Sequence, residues 1–395
     1  MTTLSDGGID VSYRTHLADG RFSLPALFCI SLLIFGVSAF VAFLLRSQAG
    51  NLADLGFSGL AVPDAFSLEQ AVYQVWTTSW HHIPNLNTFF GVAVLYFPMT
   101  LWGSGYVVVA NVAMLAVSVT VFYSILEHIT PAERLNGSWL ASIILVSTNL
   151  YLVACLFYPN KEVPLILLTT LALWGLIYGK WPLVMLLVLL CFWFRDGYAL
   201  ILGMVLVVAL SRRFAFVSGG IISCSFLVLL FLAFPIADLS AVDASIQRNV
   251  EIGSLIAGDK FSALGDVAAY LARLVGNAFN LGLRPQIADV RGGIYLLGVG
   301  YWQFGIVLLA GLVWSARNVL TDDISRGITA LVSIVVLLGI SYGTFVQPRY
   351  MMPLIFPLTL GLSETVGARY LSIGAAVLLP LLFLFAGMLP PLADG

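Results

Sequence analysis

Charge is what this sequence has least of. Lysine, arginine, aspartate and glutamate together make up 10% of the 395 residues, while hydrophobic residues make up 60%. A soluble globule carries roughly 25% charged residues, because its surface must face water. That shortage excludes an ordinary soluble fold. Net positive charge is also missing: the formal net charge is −2, which removes support for a nucleic-acid partner. Cysteine is scarce too. Cys29, Cys155, Cys191 and Cys224 all lie inside apolar runs and none forms a C-x-x-C pair. They read as packing residues, not as a metal site or a disulfide framework. Tandem repeats, low-complexity linkers and soluble domains are absent as well.

What the chain does have is long uncharged apolar runs. Leu24 to Leu45 is 22 residues without a charge. That exceeds the roughly 7–15 residues of a secretory h-region, so it reads as a retained anchor. A helix needs about 20 apolar residues to span hydrocarbon. The runs do not alternate as barrel strands would. Helices are then the remaining way to satisfy every backbone group inside lipid. The pattern predicts an all-α, polytopic transmembrane protein of about 10–11 spans. They are placed near 24–45, 105–126, 138–157, 163–179, 181–194, 197–211, 214–234, 294–314, 327–345, 350–366 and 370–390. Residues 1–395 then form a single membrane domain with outer-face loops at about 46–104 and 235–293. Ser262–Leu281 and, more weakly, Phe66–Trp80 read as interfacial helices in those loops.

The stretch Pro84–Gly103 could cross the membrane or lie along its surface. If it lies along the surface and the N-terminus is cytoplasmic, nine basic residues fall in cytoplasmic segments. They are Arg14, Arg21, Arg134, Lys180, Arg212, Arg213, Arg317, Arg326 and Arg369. Arg46, Lys161, Arg195 and Arg349 fall outside, with the long 235–293 loop set aside. If the stretch crosses, the bias reverses. The positive-inside rule therefore favours a non-crossing segment and a multi-pass protein of the plasma (inner) membrane with its N-terminus cytoplasmic. The spans at 181–194 and 197–211 are short enough to form a hairpin that does not fully cross.

In this arrangement four polar stretches converge on the outer face. The loop after the first span carries Asp54, Asp64, Glu69, His81 and His82. Each can be a plain solvated loop group, or one carboxylate can serve as a general base held over an apolar surface. Tyr158-Pro159-Asn160-Lys161-Glu162 opens a later span. Glu162 can be mere helix capping through the dipole, but ionisable groups this close to hydrocarbon are costly and often functional. Arg195-Asp196-Gly197-Tyr198 sits between the two short spans. Its opposite charges can neutralise each other, or Arg195 can donate paired hydrogen bonds to a phosphate. Gln347-Pro348-Arg349-Tyr350, with Pro353 and Pro357, precedes a late span, where Arg349 can also be a snorkelling anchor.

These stretches resemble the membrane-embedded glycosyltransferases that use polyprenyl-phosphate-linked sugars, the GT-C superfamily, and the exopolysaccharide and O-antigen polymerases. The points of similarity are an acidic loop after the first span and a juxtamembrane segment from Leu95-Tyr96 to Trp102-Gly103. Pro159-Asn160-Lys161-Glu162 and the late Arg349-Tyr350 with Pro353 complete them. The sequence departs from that pattern in having Asp54, Asp64 and Glu69 well separated, and in lacking the Arg-to-Gly spacing of O-antigen polymerases within 235–293. The resemblance implies glycosyl transfer or polysaccharide polymerisation on a lipid-linked saccharide at the outer face. Arg195, Arg349 and Lys161 would hold the (di)phosphate, and Tyr350 and His82 would contact substrate. Asp64, Asp54 or Glu162 would orient or deprotonate the acceptor hydroxyl. A divalent metal on the carboxylates is compatible with this, although no spacing demands a metal or any other cofactor. Membrane lipid and other polysaccharide-assembly proteins are the implied partners. The rival readings are a secondary transporter or flippase, since broken spans with charges between them also build transport sites, and a non-catalytic scaffold.

Overall fold

The computed structural model describes residues 22–48, 68–73, 86–213, 293–342 and 350–363, and all the regular structure among them is helical. The chain is all-α over that range. α1 is Leu24–Gln48, α2 Leu86–Leu95, α3 Met99–Trp102, α4 Ser104–Ile129, α5 Ala132–Ser147 and α6 Leu150–Cys155. α7 is Glu162–Ile177, α8 Trp181–Phe192, α9 Asp196–Arg213, α10 Gly293–Asn318 and α11 Ile324–Tyr342. A 3₁₀ turn at Met352–Leu354 leads into α12, Ile355–Ser363. The expected spans at 214–234 and 370–390 and the Ser262–Leu281 surface helix lie outside the described residues.

α7 is the centre of the bundle. It packs against α4, α8, α9, α11 and the 3₁₀ turn, and it is buried on almost every side. A helix apolar all round fits that position, because no face has to meet water. Asn160 begins it: Oδ1 accepts the Val163 N–H at 2.8 Å, satisfying one of the donors that a helix start leaves open. Gly179, at φ 68°, ends it, and the Lys180 N–H turns back to the Gly175 carbonyl at 2.7 Å.

The contacts fix which helix ends lie together. Phe22 N–H reaches the Tyr123 hydroxyl at 3.4 Å, and Tyr178 Oη donates to the Ser124 carbonyl at 3.2 Å. Arg326 Nε donates to the Ile129 carbonyl at 2.8 Å. The start of α1, the ends of α4 and α7, and the start of α11 thus share one end of the bundle. The other end holds the start of α4, the turn before α7, the α8–α9 turn and the segment leading to α12. The stretch from Leu86 to Trp102 meets that second end through Gly91 and Tyr96. It is broken into the ten-residue α2 and the four-residue α3.

Two expectations need correction. The single helix expected at 138–157 is two helices, α5 and α6, parted at Thr148–Asn149. Asn149 Oδ1 takes the Leu152 N–H at 3.1 Å and so starts α6 afresh. Cys29, read as a packing residue, is exposed, whereas Cys155 and Cys191 are buried.

By length and composition, two described helices could cross a membrane: α1 over Leu24–Phe43, and α4. At 1.5 Å per residue the twelve-residue α8 is only about 18 Å long. Close packing elsewhere depends on glycine. A Cβ at Gly361 would overlap the Ala310 carbonyl, and one at Gly311 would fall 2.6 Å from the Leu358 backbone, so α10 and α12 cross backbone to backbone.

Candidate functional site

The residues singled out from the sequence divide in two. Asp54, Asp64, His82 and Arg349 lie outside the described residues. Glu162, Lys161, Arg195 and Tyr350 are described, and all four sit at the same end of the bundle. Arg195 and Tyr350 are in direct contact.

Arg195 is fixed by the turn between α8 and α9. Its backbone N–H bonds the Cys191 carbonyl at 2.8 Å, and its own carbonyl accepts from Tyr198 at 3.2 Å and Ala199 at 3.1 Å. Its guanidinium carbon lies 4.7 Å from the centroid of the Tyr350 ring. A guanidinium stacked on an aromatic face is held by the ring quadrupole and stays charged. Its Nη1 is buried and has no hydrogen-bond partner among the described residues. An unmade hydrogen bond at a buried charged donor is costly, so the arrangement is suited to an anionic group supplied from outside.

Glu162 is the first residue of α7 and is 3% exposed. Its Oε2 accepts the Lys161 N–H at 3.2 Å. Among the described residues no cation lies within ion-pair distance of it. Asn160 supplies the side-chain cap of α7, and Glu162, in the first turn, also suits the positive end of the helix dipole. Lys161 is half-buried beside it.

Three buried polar side chains underlie this turn: Tyr96 and Asn160, which lie within the motifs quoted above, and Asn111, which does not. Tyr96 Oη donates to Asn111 Oδ1 at 2.6 Å. Asn111 Nδ2 donates to the carbonyls of Cys155 at 3.0 Å, Leu156 at 3.2 Å and Tyr158 at 3.3 Å. Asn160 Nδ2 donates to the Cys155 carbonyl at 2.8 Å and the Tyr158 carbonyl at 2.9 Å. α6 ends at Cys155, whose carbonyl has no partner within the helix. The two asparagine amides take that carbonyl and those of Leu156 and Tyr158 in the turn beyond it. Burial pushes the Tyr96 phenol well above the ordinary tyrosine range; a backbone hydrogen bond from Asn160 opposes this, and the Glu162 charge adds to it. Tyr96 is therefore held as a neutral donor. An asparagine in the middle of an apolar run was the one signal available for Asn111.

α2 closes the site from the side. Gly91 N–H donates to the Trp193 carbonyl at 3.0 Å, and Phe90 packs edge-on against Trp193 at 5.2 Å between centroids. A side chain at 91 would fall 2.8 Å from the Phe194 ring and 2.9 Å from the Trp193 carbonyl, so the glycine permits the approach. Among the described residues no group of three or more His, Cys, Asp or Glu side chains could hold a metal ion.

No protein-family model matches the chain, and no curated protein or solved structure matches it either.

Proposed function

We propose that this chain is a polytopic inner-membrane protein that transfers or polymerises saccharide from a polyprenyl-(di)phosphate carrier at the outer face. The membrane part rests on an inverted surface. α1 presents Leu33 at 67% and Phe40 at 60% exposure, and Val109 of α4 is 67% exposed. Meanwhile Asn111, Asn160, Glu162 and Thr170 are buried. Apolar side chains outward and polar ones inward suit lipid as the solvent. The end of the bundle that collects Arg134, Lys180, Arg317 and Arg326 is then cytoplasmic, and the Arg195 end faces outward.

The observation that carries the functional reading is the Arg195 guanidinium on the Tyr350 ring, with one buried nitrogen that has no partner among the described residues, at the same helix ends as buried Glu162. The cation would hold the carrier phosphate and stabilise charge on it as the sugar departs. Glu162 would orient or deprotonate the incoming hydroxyl. These groups sit at helix ends and not mid-helix, which favours transfer over a transport site.

The test is made in cells lacking the protein, complemented with wild type, Arg195→Ala or Glu162→Ala at matched expression. Loss of surface polymer and accumulation of polyprenyl-linked precursor in the deletion, restored by wild type and by neither variant, is the expected result. Unchanged polymer and precursor in the deletion would overturn the reading in favour of transport.

A further inference from the structure

We infer that Tyr96, Asn111 and Asn160 form a positioning device that sets the turn carrying Lys161 and Glu162, and that α2 ties this turn to the Arg195 turn. The inference deepens the transfer reading of the same site and rests on it for its functional consequence; the geometry stands by itself.

The observations come from four separate segments. Asn111 belongs to α4, Tyr96 to the turn after α2, Asn160 to the connection before α7, and the carbonyls they bind lie at the end of α6 and in the turn beyond it. All three side chains are fully buried. A turn of six residues between two buried helices has few bonds of its own. Within it, the amides hold the Cys155, Leu156 and Tyr158 carbonyls. Asn160 Oδ1 simultaneously fixes the first turn of α7 through Val163. Asn160 Nδ2 also reaches the Tyr96 hydroxyl at 3.5 Å, which closes the ring of contacts.

Tyr96 adds the link to the other half of the site. Its N–H bonds the Val92 carbonyl at 2.9 Å, continuing α2, and one residue before Val92 the Gly91 N–H is bound to Trp193. Trp193 is two residues from Arg195. A single short helix thus touches the acidic turn through Tyr96 and the cationic turn through Gly91. Shifting α2 would move the two turns relative to each other. A buried polar network fully satisfied in this way specifies one geometry, and breaking one member strands the others.

The experiment is amide hydrogen exchange on the full-length protein in lipid nanodiscs, comparing wild type, Asn111→Leu and Tyr96→Phe. Two peptides are read: 156–163, in the turn, and 174–180, at the opposite end of α7. The expected result is exchange at least about 10-fold faster in 156–163, with 174–180 and the thermal midpoint unchanged. Surface-polymer output would fall in the same variants at matched expression. Unchanged exchange in 156–163 would overturn the inference. So would equal acceleration of both peptides with a lowered midpoint, since that is general destabilisation. Tyr96→Phe removes one oxygen atom and serves as the test if Asn111→Leu fails to accumulate. If deleting the protein leaves polymer intact, the transfer reading fails while the exchange result still decides whether the network positions the turn.

Discussion

Gly361→Ala should destabilise the protein where Gly36→Ala should not. Both glycines lie within helices, so alanine brings each the same gain in backbone entropy, about 0.5–1 kcal/mol. At Gly36 nothing lies within 4 Å of an added Cβ, so the gain is kept. At Gly361 the new carbon overlaps the Ala310 carbonyl and comes within 2.5 Å of the Gly311 nitrogen. These are backbone atoms and cannot rotate aside. Even against the Gly311 nitrogen, the new Cβ falls about 0.9 Å short of the 3.4 Å at which ordinary contact begins. A gap of that size between α10 and α12 forfeits roughly a quarter to a half of each contact's dispersion energy. Overpacking of this kind costs roughly 1–3 kcal/mol; the entropy gain is common to both variants and cancels, so they should differ by about 1–3 kcal/mol. At about 2–4 °C per kcal/mol the difference in apparent midpoint is on the order of 2–12 °C. The assay is thermal unfolding in detergent at one fixed scan rate, because unfolding here is expected to be irreversible. If Gly361→Ala melts with or above Gly36→Ala, the backbone-to-backbone crossing of α10 and α12 is wrong.

Four further outcomes are expected. Arg195→Lys keeps the charge but loses the planar fork, and should lower the activity of the proposed transferase roughly 10- to 100-fold, read as polymer formed per unit protein. Tyr350→Phe should be tolerated whereas Tyr350→Leu should weaken the site by about 0.5–2 kcal/mol, since only an aromatic face holds the guanidinium. Equal effects of these two Tyr350 variants would refute the stacking role. A double-mutant cycle on the 2.6 Å hydrogen bond between Ser142 and Thr359, with Ser142→Ala and Thr359→Val, should give a coupling of about 0.6 kcal/mol, the usual size of an interhelical bond in a membrane. Lys161→Cys should react with an impermeant maleimide in intact cells and Lys180→Cys only after permeabilisation; the opposite pattern would invert the proposed orientation.

Much of the helical framework was legible as apolar runs. The expected spans at 163–179, 327–345 and 24–45 lie close to α7, α11 and α1, because uncharged runs of that length have few alternatives. The break between α5 and α6 was not legible from hydropathy, since apolar residues continue on both sides; only Asn149 marked it. Arg195, Glu162 and Tyr350 stood out as polar groups flanked by apolar sequence. That Arg195 and Tyr350 stack could not be read, because the contact joins segments far apart in the chain and depends on how α8, α9 and the 3₁₀ turn pack. Asn111 stood out only as an asparagine within an apolar run. Its partners are main-chain carbonyls, which leave no trace in residue identity.

The shortness of α8 has a consequence for the lipid itself. At about 18 Å it is far shorter than the roughly 30 Å hydrocarbon layer, while neighbouring α9 has 18 residues. In a membrane such a rim is uneven, and the leaflet beside α8 must thin, or headgroups must sink, to meet the Arg195 turn. The depth at which this turn meets water is then a property of protein and bilayer together. Acyl-chain length becomes a control on the site: short-chain lipids would bring their headgroups to Arg195, and long-chain lipids would cover it with hydrocarbon.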